Sequence, residues 1–181
     1  MASKSAVAVS VLRAMACEKG WRECAPKEAA AATEAAGSLL YSGRYNRGLD
    51  HFEHVRVFAA LYVALNAETA LAEVIRGVDP EALDRLDSRS LSSIECGLAA
   101  VFDLRAPEKL GLDLESLLDD YDYSVPQSLA AAAFSHGAEG ILVPSATALG
   151  DNLVIFPANL RPGSTLTVVS SRSPRLRRLD H

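Results

Sequence analysis

The stretch VRVFAALYVALNAETALAEVIRG, residues 55–77, constrains the fold more than any other part of the chain. Its first half is almost continuously apolar and partly β-branched, which predicts a buried strand over 55–65 carrying Tyr62. Asn66 stands where a helix cap belongs, because its side-chain oxygen can accept an orphan N–H of the first turn. The helix it opens runs to Gly77, a residue suited to leaving a helix. A strand that must be covered therefore passes directly into a helix.

The other segments do not repeat that unit. A β-branched run predicts a strand over 6–13, and Pro26 and Gly37 bracket an alanine-rich helix in the proline-in, glycine-out manner. Further helices are expected at 80–86 and within 107–120. Strands are expected within 91–104. Pro126 and Gly137 bracket another helix, and three strands are expected at 140–143, 153–156 and 164–170. Strands and helices alternate without a regular βαβ beat, so the fold class expected is α+β. With 181 residues, 49% of them hydrophobic, the chain can close one substantial core and not two. A single domain over 1–181 is expected.

A formal net charge of -5 argues against a surface that gathers nucleic acid, which needs a dense basic face. The cluster Arg172, Arg175, Arg177 and Arg178 reads as a solvated tail. Cys17, Cys24 and Cys96 are odd in number and lack metal-site spacing, which fits a reducing compartment. No apolar run is long enough for a membrane span. A soluble, cytoplasmic protein without membrane or direct nucleic-acid partners is expected.

The segment SGRYNRG, 42–48, sets two arginines between two glycines, and Gly43 and Gly48 are expected to supply backbone angles that other residues avoid. Glu73 is the acidic residue of most interest. Advancing about 100° per residue from Ala67 puts Ala67, Ala70, Leu71 and Val74 on one arc, with Glu73 at its edge, where a carboxylate can be partly desolvated yet reach a cavity. Tyr62 offers a ring for stacking and a hydroxyl for one hydrogen bond. Ser145 follows Pro144 with no Gly-x-Ser-x-Gly elbow around it, so it reads as an orienting or turn serine rather than a hydrolase nucleophile. Asn152 reads as a turn residue or an amide clamp. His51 and His54 lack a third ligand, and no metal site is expected. No Walker A loop and no GxGxxG is present.

In order, Gly43-Arg44-Tyr45-Asn46, LYVALNAETALAEV with Tyr62 and Glu73, GILVPSA with Ser145, and Asn152 form a pattern that resembles the RES domain family, from about residue 43 to about residue 169. The resemblance implies an ADP-ribosyltransferase-like mixed sheet with surrounding helices. It implies an NAD-consuming activity, either an NAD glycohydrolase or phosphorylase or an ADP-ribosyltransferase, in a bacterial toxin paired with a helix-turn-helix antitoxin. Arg44, Glu73 and Ser145 take the catalytic positions; Arg44, Tyr62 and Asn152 take those that bind NAD. An arginine fork matches phosphate oxygens, and a carboxylate stabilises the oxocarbenium-like ribose left as nicotinamide departs. The acceptor is open among water, inorganic phosphate and a protein side chain. The alternative is a non-catalytic module of the same fold that binds NAD, ADP-ribose or another protein.

Overall fold

A computed structural model describes residues 7–12, 32–76 and 90–172. Two sheets organise them. β1 (Val7–Leu12), β3 (Leu91–Gly97) and β7 (Thr165–Arg172) form an antiparallel sheet in the order β1-β3-β7, with Val7 opposite Cys96 and a register shift in β3 between Ser93 and Ile94. The second sheet has the order β2-β6-β5-β4, from β2 (Leu61–Ala64), β6 (Asp151–Ile155), β5 (Gly140–Pro144) and β4 (Val101–Asp103). Its β2–β6 and β6–β5 pairs are antiparallel and its β5–β4 pair is parallel. The expected α+β class with a mixed sheet is what forms.

Alternation along the strands divides the core. Leu61, Val63, Leu153 and Ile155 face the three-stranded sheet, where they meet Ile94 and Cys96. Ala60, Ile141, Val143, Val154 and Phe156 face the other way, onto a helix and the segment that precedes β2. The central sheet is thus buried on both sides. Cys96 is free and buried, and burial pushes its thiol up to about 11, with Glu95 adding to the rise. Cys17 and Cys24 lie outside the described residues.

Among the described residues three α-helices complete the frame: α1 (Ala67–Arg76), α2 (Leu114–Leu118) and α3 (Ser124–Ser135). Asn66 caps α1 as expected, its Oδ1 accepting the N–H of Thr69 at 2.7 Å. Asp113 caps α2 by accepting from the N–H of Ser116 at 3.1 Å. α3 begins two residues before Pro126 and closes on Gly137 at φ 76°, where the N–H groups of Gly137 and Ala138 bond the carbonyls of Phe134 and Ala133. That paired closure needs a left-handed residue, which glycine supplies without a Cβ clash.

Two expectations change. The strand expected over 55–65 contracts to Leu61–Ala64. Residues His54–Arg56 form a 3-10 turn, and the N–H groups of Phe58 and Ala60 bond the Arg47 carbonyl and Ser38 Oγ rather than a neighbouring strand. Hydrophobicity there serves packing without a ladder: Phe58 stacks on Phe134 at 4.7 Å, and Phe156 meets both rings edge-on. The helix expected over 26–37 is described only toward its end, where Ala36–Leu39 is a 3-10 turn. Residues 26–31 of that segment, the helix expected at 80–86 and Gly77 lie outside the described residues, as do Arg175, Arg177 and Arg178.

Candidate active site

The SGRYNRG segment is a tight turn in which Gly43 and Asn46 bond each other in both directions, N–H to carbonyl at 3.2 and 3.4 Å. Asn46 is its anchor. Only 1% exposed, it donates from Nδ2 to the carbonyls of Ser38 (2.7 Å) and Tyr41 (3.0 Å), and its Oδ1 accepts the Tyr62 hydroxyl at 2.9 Å. That hydroxyl also accepts the N–H of Tyr45 at 2.9 Å. Tyr62 therefore ties β2 to the turn through its oxygen while its ring lines a cavity.

The glycines of the turn have a different reason from the one expected. Neither Gly43 nor Gly48 has a positive φ. Instead a Cβ on Gly43 would sit 2.6 Å from Asn46 Oδ1 and 2.7 Å from the Tyr62 hydroxyl, and one on Gly48 would sit 2.6 Å from the N of Ser42. Close approach, not backbone angle, excludes a side chain here.

Glu73 is held from two sides. It projects from α1, next to the buried Ala70 and Val74, toward the strand ends where Asn152 lies between Ala64 of β2 and Val143 of β5. Its Oε1 accepts Ser145 Oγ at 2.6 Å and Asn152 Nδ2 at 2.8 Å. Ser145, directly after β5 and 1% exposed, is itself fixed: its N–H bonds the Gly150 carbonyl, and its Oγ accepts the Thr147 N–H at 3.1 Å. Among the described residues Oε2 has no hydrogen-bond partner, so one carboxylate oxygen is immobilised and the other is left for a ligand.

A cavity of about 280 Å³ opens beside Glu73, walled by Arg44, Tyr45, Tyr62, Pro144, Ala146 and Asn152 together with apolar residues of β2 and α1. Four of the five residues expected from the sequence line it directly. Ser145 does not line it and meets it only through its hydrogen bond to Glu73.

Arg44, 13% exposed in its side chain, is already engaged. Nη1 donates to the carbonyls of Leu117 (3.1 Å) and Asp119, Nη2 donates to Asp120 Oδ1 at 3.0 Å, and the guanidinium lies 4.8 Å from the centre of the Tyr123 ring. Of its five N–H donors, Nε–H and one on Nη2 keep no acceptor among the described residues. Arg47 points elsewhere, over the Phe52 ring at 5.1 Å.

Tyr45 was not singled out from the sequence. It is 2% exposed and lines the cavity, yet among the described residues its hydroxyl has no partner. Burial pushes the phenol up to about 12, with Arg44 opposing the rise and Glu73 adding to it. An orphaned buried hydroxyl is costly unless something completes it. Its position directly after Arg44 in the GRYN motif was the one available signal.

Glu139 was missed for a better reason. Fully buried ahead of β5, it accepts the N–H groups of Ala99 and Ala100 on Oε2, and the Arg161 N–H and Ser164 Oγ on Oε1. Burial pushes its carboxyl up, but the bonds from Ser164, Arg161, Ala100 and Ala99 together outweigh that and hold it below the usual range. It is a structural anchor joining three loops. Among the described residues no group of three or more His, Cys, Asp or Glu could hold a metal, and no helix is long and apolar enough to cross a membrane.

Comparison with known proteins gives a consistent picture. The family model described as "RES domain" matches residues 19–177. The NAD(+) phosphorylase MbcT of Mycobacterium bovis is 28% identical over 144 residues, covering 73% of this chain and 70% of that protein, and MbcT of Mycobacterium tuberculosis matches equally. Among solved structures, the M. tuberculosis MbcT-MbcA toxin-antitoxin complex contains a chain that superposes with a TM-score of 0.69 at 25% identity, over 94% of this chain and 85% of that one.

Proposed function

The chain belongs to the RES domain family, and from that premise we propose that it degrades NAD by breaking the nicotinamide–ribose bond, as the toxin of a pair with an antitoxin. The whole chain is read as a single RES domain. The observation that carries the chemistry is Glu73, with Oε1 pinned by Ser145 and Asn152 and Oε2 free at the wall of a cavity.

As the C–N bond breaks, the electron pair leaves with nicotinamide, and positive charge builds on the ribose. A carboxylate fixed beforehand stabilises that charge without reorganising during the reaction. Asn152 and Ser145 hydrogen-bond only one oxygen of Glu73, so the carboxylate keeps its charge and its other oxygen is open to the sugar or its hydroxyl groups. Tyr62 presents its ring for stacking on the nicotinamide, its hydroxyl being held by Tyr45 and Asn46. The Tyr45 hydroxyl supplies the remaining polar contact, which would complete its own bonding. Arg44 holds phosphate with donors its loop contacts leave over. The cavity, slightly below the roughly 300–1,000 Å³ of drug-sized sites, suits the nicotinamide riboside end while the rest of the dinucleotide extends outward.

Inorganic phosphate is the acceptor favoured here, since the curated relatives bear the name NAD(+) phosphorylase. A phosphate oxygen then bonds the ribose C1 as nicotinamide leaves, giving ADP-ribose 1″-phosphate. Phosphorus NMR of the reaction mixture tests this. A phosphomonoester at the ribose is expected; free ADP-ribose alone would establish water as acceptor, and label found on a protein would establish transfer. Ligand-induced stabilisation with none of these products would leave a binding module.

A further inference from the structure

Arg76 has no role in the scheme above. It lies three residues after Glu73 on α1, and residues at that spacing share a helix face. Its guanidinium reaches Asp120, in the connection between α2 and α3. Asp120 Oδ2 accepts from Arg76 Nη2 while its Oδ1 accepts from Arg44 Nη2 at 3.0 Å. One carboxylate therefore bridges two arginines that arrive from separate elements, beside the cavity that Arg44 lines. The Arg44 side chain is 13% exposed and that of Asp120 49%, so the arginine is sheltered while the carboxylate can swing into water without disturbing the core.

The geometry points to Arg76 as a second phosphate-binding residue and to Asp120 as an internal stand-in for phosphate. A diphosphate-bearing ligand displaces the Asp120 carboxylate and is held between both guanidinium groups. Carboxylate and phosphate present the same kind of oxyanion to an arginine fork. Asp120 answers both guanidinium groups with a single carboxylate, and Asp119 lies close enough to Arg44 to feel its charge, whereas a pyrophosphate brings one charge for each arginine. The neighbouring Asp119 does not compete, because its Oδ1 accepts the N–H groups of Tyr121 and Asp122. This inference rests on the reading of the site as an NAD site and names what binds the phosphates.

The test is calorimetric titration of Glu73→Gln protein, chosen so that no ligand is consumed, with Asp120→Asn or Arg76→Ala added. ADP-ribose, nicotinamide and inorganic pyrophosphate are the probes. Asp120→Asn is expected to tighten ADP-ribose binding by roughly threefold or more, the scale of a partly exposed ion pair, and Arg76→Ala to weaken it similarly, with nicotinamide unaffected. Weaker ADP-ribose binding in Asp120→Asn, or no change in either variant, would overturn the proposal. Should the parent ignore ADP-ribose yet bind pyrophosphate in an Arg76-dependent way, the two-arginine clamp stands and the NAD reading falls. Binding of neither removes both.

Discussion

Ser145 Oγ donates to Glu73 Oε1 at 2.6 Å, and it does so from a position only 1% exposed. Ser145 is not among the residues that line the cavity, so its hydroxyl meets the carboxylate and not a ligand. It fixes the angle of the carboxylate, and Asn152, bonding the same oxygen at 2.8 Å, fixes it from the other side.

Ser145→Ala should therefore lower kcat with little change in KM, because the bond sets geometry rather than affinity. A fall of up to about 10²-fold is the scale on which misplacement of a catalytic group acts. Asn152→Ala should do likewise, and the double variant should lose less than the product of the two, since both act on one oxygen. Steady-state kinetics of the three variants check this; a pure KM effect, or strict additivity, would contradict it.

Tyr45→Phe should separate stability from binding. The hydroxyl is buried without a partner among the described residues, so removing it should leave the ligand-free protein as stable or up to about 1 kcal/mol more stable. The stabilisation given by NAD should shrink, as the ligand loses the group meant for it. Thermal melts with and without NAD read both effects, and a destabilised protein with full NAD response would be the contrary result.

Gly43→Ala should cost about 1–3 kcal/mol, the range for overpacking a tight site. The added Cβ would fall 2.6 Å from Asn46 Oδ1 and 2.7 Å from the Tyr62 hydroxyl, which are the atoms that tie the turn to β2. Urea denaturation measures the loss; wild-type stability would mean that the turn is not packed as described.

Glu139 links stability to acid. Its carboxyl titrates below the reference value of 4.5 in the folded protein, so the folded state binds its proton less readily than the unfolded chain. The resulting stabilisation is present above about pH 4.5 and is lost as pH falls through the depressed folded value. Glu139→Gln should be less stable at neutral pH and lose stability less steeply on acidification. Parallel curves for the two proteins would show that Glu139 does not carry this dependence.

Local signals were legible and long-range ones were not. The Asn66 cap, the closure of α3 at Gly137 and the placement of Glu73 at the edge of an apolar arc all depend on residues within one or two turns, and all appear in the structure. Tyr62, Ser145 and Asn152 were found by their order within a pattern, and the sheet register then brings Asn152 and Ser145 onto one oxygen of Glu73. The strand over 55–65 was overextended because apolar, β-branched residues serve a ladder and an aromatic cluster equally well; only the pairing of Phe58 and Ala60 with the preceding turn tells them apart. Glu139 left no trace, since every partner that makes its burial tolerable lies between 22 and 40 residues away. The same holds for the Arg44, Asp120 and Arg76 bridge, whose members span three elements.

The most direct test of the whole account is nicotinamide release from NAD by the purified chain, with and without inorganic phosphate, beside Glu73→Gln. The account predicts release that rises with phosphate and falls by roughly 10²-fold or more when the carboxylate becomes an amide, in a variant that still folds and binds NAD. Release that is undiminished in Glu73→Gln, or none from a wild-type protein that binds NAD, would contradict it.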